Sequence, residues 1–174
     1  VAFAARTMKD DRVRGLSVGG SIANASFSVA FTMGCDPIML IGQDLAYTGG
    51  QMYAKGTVFE EIKMDVSGNH GRIVDPSGTK QAIIDASESN ATPFYADRAM
   101  FPVRAWDGEG TVMTSMDFNL FRYWFQEAAI HVRENRESVL VNATEGGAHI
   151  EGFDHLPLAE AKRLYVDSLA VRPL

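Results

Sequence analysis

Between Pro37 and Gly42 the chain runs IMLI, residues 38–41, with no polar break. An apolar run of that length suits a strand buried on both faces, as in a sheet covered by helices on either side. The segment before it agrees. Residues 21–33 are predicted to be a helix, with Ile22, Ala25, Ser26, Val29, Ala30 and Met33 as one apolar or small stripe. Ser21 supplies an N-cap and Gly34 a stop. Helix, short loop and buried strand in that order is the grammar of a parallel sheet, so the expected class is α/β.

The rest of the chain extends that pattern. Residues 46–80 are glycine-rich, and TVFEEIKMDV (57–66) alternates weakly, like a hairpin strand. Residues 80–98 are polar and are expected to form an insertion or lid. Two short strands are predicted around the turn Asp107-Gly108-Glu109-Gly110. The clearest helix covers residues 115–134, with a stripe of Leu120, Phe121, Trp124, Phe125, Ala128 and Val132; Thr114 and Asp117 have capping-box spacing. A short strand at 138–141 precedes NATEGGA, and a last helix after Pro157 runs to Leu169, with Leu158, Ala161, Tyr165 and Leu169 on one side. The expected architecture is a Rossmann-like, mostly parallel sheet flanked by helices, with a small β-hairpin or loop insertion. Residues 1–174 are expected to be one domain, a fragment of a longer protein since the chain does not begin with Met.

Composition narrows the functions. A net charge of −6 with no Lys/Arg cluster argues against nucleic acid as a partner. One cysteine, Cys35, excludes a disulfide framework or a cysteine-based zinc site. No apolar stretch has the ~18 residues of a membrane span, and cytoplasm is the default location. His70, His131, His149 and His155 show no metal-binding spacing, so no metal site is expected; only His70 and His149 invite suspicion.

Three glycine-bearing segments are candidates for chemistry. SVGGSIAN contains Ser17, Gly19, Gly20, Ser21 and Asn24 just before a helix. Such a start is either an anion site or a tight turn with a serine cap. GQDLAYTGGQMYAKG follows the buried strand. In open α/β sheets ligands sit beyond strand carboxyl ends, where Asp44 and Gln43 would accept and donate hydrogen bonds. Tyr47 and Tyr53 would donate to phosphate and Lys55 would add a cation; the alternative is a strand cap with exposed tyrosines. NATEGGAHIEG repeats the pattern with Asn142, Thr144 and Glu145, and Glu145 is a candidate general base, unless the glycines serve only a turn. Asn90 and Asn142 head Asn-Ala-Thr sequons, which carry no meaning in a cytosolic protein.

Taken in order, GGSIANASFSVAFTMGCDPIMLIGQDLAYTGGQMYAKGT, TVMTSMDFNLFRYWF and VNATEGGAHIEG resemble the central domain of the motility accessory factor (Maf) family. That domain is of the MptE-like 6-hydroxymethylpterin diphosphokinase type. The resemblance runs from about Leu16 to Leu158, some four-fifths of the chain. It implies a glycosyltransferase that moves a nonulosonic acid from a CMP-activated donor to serine or threonine of an acceptor such as flagellin. More distantly the chain is similar to bacterial sialyltransferases, in which a Ser-Gly loop contacts the nucleotide, a strand-end Asp follows, and two tyrosines bind the donor phosphate. Ser17 to Ser21, Asp44, Tyr47 and Tyr53 match those places, with one extra residue between Asp44 and the first tyrosine. The catalytic histidine those enzymes carry before the long helix is absent; Thr114 stands near its position.

The implied mechanism is direct displacement of CMP, with helix-end amides and tyrosines stabilising the leaving phosphate and Asp44 or Glu145 serving the acceptor hydroxyl. No cofactor is required in this scheme. An alternative is the MptE-like diphosphokinase, using ATP and Mg²⁺ on a pterin alcohol, for which Asp44, Asp65, Asp75 and Glu145 would have to cluster. A third is a non-catalytic module that binds a nucleotide or a protein.

Overall fold

The computed structural model describes residues 19–80 and 98–167. The lead-in with Ser17, most of the polar segment after Lys80 with Asn90, and the end of the last helix with Leu169 lie outside the described residues. In chain order the elements are α1 (Ile22–Thr32), β1 (Ile38–Leu40), β2 (Lys63–Ser67), β3 (His70–Val74), β4 (Arg98–Arg104), β5 (Thr111–Ser115), α2 (Met116–Asn135), β6 (Leu140–Asn142), β7 (Asp154–His155) and α3 (Leu158–Tyr165).

They form two sheets. One is parallel and three-stranded, in the order β1-β6-β7; the other is antiparallel and four-stranded, in the order β2-β3-β4-β5. The class is therefore mixed α/β. The expectation of a mostly parallel sheet with a small hairpin insertion is corrected: among the described residues the antiparallel sheet is the larger. The reason lies in the turns. Gly68, with φ +59, lets β2 fold back on β3, and the turn at 107–110 closes β4 onto β5 over five residue pairs. Hairpin pairing needs no crossover helix, so strands joined this way form an antiparallel sheet. None of the described helices is long and apolar enough to cross a membrane.

The parallel sheet is covered on both faces along Ile38–Leu40; Ile41, expected in the same buried run, lies past the end of β1 and is 59% exposed. Ile38, Leu40 and Leu140 face α1 and α2 in a core with Phe27, Phe125, Val132 and Phe153. Val141, with Met39 packed against it, faces Ala161 of α3. Phe27 sits edge-on to Trp124 at 5.9 Å and to Phe125 at 5.8 Å, and these rings fix how the two helices meet.

The stripe expected on α1 faces outward. Ile22 is 87% exposed and Met33 75%, while Asn24, Phe27 and Ser28 are buried. The helix is apolar on nearly every side, so periodicity leaves its inner face undecided, and burying Phe27 among rings outweighs burying Ile22. Leu120 on α2 is likewise exposed, whereas Phe125 is fully buried. The capping box expected at Thr114 and Asp117 does not form. Ser115 is the N-cap of α2 and makes no side-chain capping bond. Thr114 Oγ1 instead donates to Leu45 O at 2.7 Å.

A candidate cleft at the carboxyl end of the parallel sheet

Each helix that leads into a strand of the parallel sheet runs opposite to that strand. The N-termini of α1 and α2 therefore lie at the edge where β1 and β6 end. Between them is a cleft of about 480 Å³, lined by Ser21, Gln43, Asp44, Tyr53, Phe118 and Phe121 among others. The α1 end is built by reciprocal capping: Asn24 N donates to Ser21 Oγ at 3.1 Å, and Ser21 Oγ donates to Asn24 Oδ1 at 2.6 Å. Asn24 is fully buried, and its Nδ2 has no partner among the described residues. The two glycines before the helix act through packing. A Cβ on Gly19 would lie 2.4 Å from Trp124 Cγ, and Gly20 has φ +92 against Phe121.

The floor is the loop after β1. Asp44 is open to solvent on the cleft wall. Partial burial nevertheless raises the pKa of its carboxyl, which its own backbone N–H partly offsets. The next residue, Leu45, is buried with φ +51, a left-handed conformation unusual for leucine. Thr114 pins that residue through its carbonyl, so Thr114 is buried beneath the loop and does not line the cleft.

The NATEGG segment meets this loop from β6. Gln43 N donates to Thr144 Oγ1 at 3.0 Å, Ala148 N donates to Asp44 O at 2.7 Å, and Thr144 N donates to Asn142 Oδ1 at 3.2 Å. A Cβ on Gly147 would come within 2.1 Å of Asp44 O, so only glycine permits this approach. Thr144 and Asn142 thus support the floor without lining the cleft. Asn142 is fully buried, which closes its sequon to a glycan. Glu145 is exposed with φ +63, and its Oε1 accepts from Leu158 N at 2.6 Å. It caps α3, outside the cleft, and supplies the capping bond that Pro157 cannot.

The two tyrosines separate. Tyr53 is 43% exposed and lines the cleft. Tyr47 is buried beneath it, stacked on Phe118 at 4.9 Å. Arg98 Nη1 donates to Tyr47 Oη at 2.9 Å and to Asp117 Oδ2 at 3.2 Å. The Ser115 hydroxyl donates to Asp117, so Tyr47 must be the donor to Ser115 Oγ at 3.1 Å. Burial also raises the Tyr47 pKa, keeping the phenol neutral. Tyr47→Phe is expected to cost about 1–3 kcal/mol in urea unfolding, because it strips partners from a buried network, with no change in ligand affinity. A ligand-affinity loss at unchanged stability would show that the hydroxyl reaches the ligand after all.

Lys55 lines a neighbouring hollow with Glu60 and Lys63, not this cleft. Asp44, Asp65, Asp75 and Glu145 do not assemble: among the described residues no three His, Cys, Asp or Glu side chains come together to hold an ion. Asp75 is committed to its own loop, accepting from Ser77 Oγ at 2.6 Å. Sequence reasoning overlooked Phe118 and Phe121 as cleft walls, although the repeated helix-then-strand order signalled that α2 would start there. It also overlooked that His149 and His155, six residues apart, stack face to face at 4.0 Å.

No family model matches the chain, and no solved structure matches it. An uncharacterized protein of Treponema pallidum (strain Nichols) is 27% identical over 116 residues, which is 64% of this chain and 29% of the relative. The chain thus spans less than a third of the length of that relative.

Proposed function

We propose that the cleft between the N-termini of α1 and α2 binds a CMP-activated nonulosonic acid, and that the domain transfers the sugar to a protein hydroxyl such as a flagellin serine or threonine. In this proposal the domain is the nucleotide-binding part of a Rossmann-like glycosyltransferase. One observation carries it: Ser21 at the start of α1 lines the same cleft as Asp44 and Tyr53 from the loop after β1. The helix-start amides and Tyr53 would stabilise the departing phosphate, and Phe118 and Phe121 offer apolar faces to the base. Asp44 is the carboxylate in reach of an acceptor hydroxyl. Its raised pKa favours proton acceptance near neutral pH more than an ordinary aspartate would.

A second reading is a nucleotide-binding module without transfer. It is supported by Thr114, which stands near the histidine place of the sialyltransferase pattern and is buried on Leu45.

Thermal unfolding with CMP, with ATP and Mg²⁺, and with neither separates these proposals. CMP at a hundred times its dissociation constant should add about 2.7 kcal/mol, or roughly 5–10 °C in Tm for a domain of this size. Release of CMP from a CMP-nonulosonate then distinguishes transfer from binding alone. No shift with millimolar CMP would sink the transferase reading, and a shift only with ATP and Mg²⁺ would favour the diphosphokinase.

A further inference from the structure

We propose that the stacked pair His149–His155 is a proton-operated latch on the loop that seats Asp44. His155 lies on β7, opposite Asn142 of β6. Its Nε2 accepts from Ile150 N at 3.2 Å, and its Nδ1 faces Phe153 O at 3.1 Å. A donor on one side and an acceptor on the other assign the neutral ring with its proton on Nδ1. An imidazolium has no acceptor left, so protonation abolishes the bond to Ile150.

That bond ends a short relay. Ile150 follows residues 147–149, which make three bonds to the loop after β1 and to the β4–β5 hairpin: Ala148 N to Asp44 O, Trp106 N to Gly147 O at 2.9 Å, and His149 N to Arg104 O at 2.9 Å. The His155 acceptor thus holds the far end of the segment that shapes the cleft floor, beside a longer bond from Phe153 N to Ile150 O at 3.4 Å. Charged groups surround the pair. The His149 ring lies parallel to His155 within 14°. Glu151 Oε1 is 3.5 Å from His149 Nε2 and 3.6 Å from Arg104 Nη1. Arg122 of α2 donates to His149 O at 3.3 Å, and Trp106 meets His155 edge-on at 5.8 Å. Asp154 is the preceding residue on β7 and is exposed.

Burial, then the neighbouring His149, pull the His155 pKa from 6.5 to about 4 in the closed loop. An opened loop returns the ring to water and to its ordinary value. The open form thus binds the proton more tightly, so the latch holds fully above about pH 6.5 and weakens as pH falls toward about 4. The proposal rests on the Asp44 cleft being the site. Its test uses no ligand, so the outcome is independent of whether CMP binds.

The test is native-state hydrogen exchange on the full chain, read by NMR at the Ala148 and Ile150 amides and corrected for intrinsic rates. Their protection should fall up to about tenfold per pH unit between about 6.5 and 4.5. The Val132 amide, in the buried core of α2, exchanges through global unfolding and should stay more protected than both at every pH. His155→Gln should remove the slope, and Asp44→Asn should keep it, since the proton concerned is on histidine. A flat profile at Ala148 and Ile150, protection there equal to that at Val132 across the range, or a slope that survives in H155Q would each overturn the latch. If H155Q does not fold, the slope at Ile150 and its protection relative to Val132 in the wild type decide.

Discussion

Gly147→Ala should destabilise the protein by at least about 3 kcal/mol in urea unfolding, or prevent folding, and should abolish ligand binding with it. Gly147 has φ +74, where a side chain costs about 1–2 kcal/mol by itself. The steric clash costs more. The added Cβ would meet Asp44 O at 2.1 Å, Cα at 2.4 Å and C at 2.5 Å, all backbone atoms with no rotamer to yield. Relieving that contact separates the two loops and breaks the bond from Ala148 N to Asp44 O, a further ~1 kcal/mol. Gly49→Ala is the internal control. It has φ +60 but nothing within 4 Å of the added Cβ, so it should cost only the conformational ~1 kcal/mol. Equal losses for the two variants would show that the 147 loop yields easily and does not hold the cleft floor.

Under the proposed transfer, in which Asp44 is the general base, Asp44→Asn should cut CMP release from a CMP-nonulosonate by about 100- to 10,000-fold. Stability should change little, because the contacts that seat residue 44 are made by its backbone carbonyl to Ala148. Affinity for CMP should fall far less than turnover, since Asn keeps the shape and one acceptor oxygen. Wild-type turnover in D44N would remove Asp44 from the chemistry. Equal losses in binding and turnover would make it a ligand anchor. Glu145→Gln is expected to behave differently, with full turnover and a small stability loss, because its carboxylate caps α3.

Much of the local structure was legible in the residues. Ser21 before an apolar stretch and Gly34 after it bound α1, whose observed span is Ile22–Thr32. The apolar run after Pro37 marked β1, though the strand stops at Leu40 and leaves Ile41 exposed, and the turn at 107–110 marked the hairpin of β4 and β5. Local chemistry decides these features: a hydroxyl beside free amides, a glycine with positive φ, a short run too apolar to expose. The partners of individual side chains were less legible. Tyr47 and Tyr53 look alike in sequence, yet one is locked under Phe118 by Arg98 and the other faces the cleft.

The sequence by itself determined an α/β chain with a buried strand, two helices entering strands, and polar glycine-bearing loops at the strand ends, because these follow from periodicity and turn chemistry within a few residues. Only the tertiary structure decided which face of α1 is inside, since Phe27 needed the rings of Trp124 and Phe125 to outweigh Ile22. It alone decided that antiparallel strands outnumber parallel ones among the described residues, because pairing partners are chosen across the fold. It also divided the candidate residues, leaving Ser21, Asp44 and Tyr53 on the cleft, turning Thr114 and Tyr47 into its supports and committing Glu145 to the cap of α3. A side chain's role there depends on the hydrogen-bond partner that packing brings within about 3 Å, and no spacing along the chain encodes that distance.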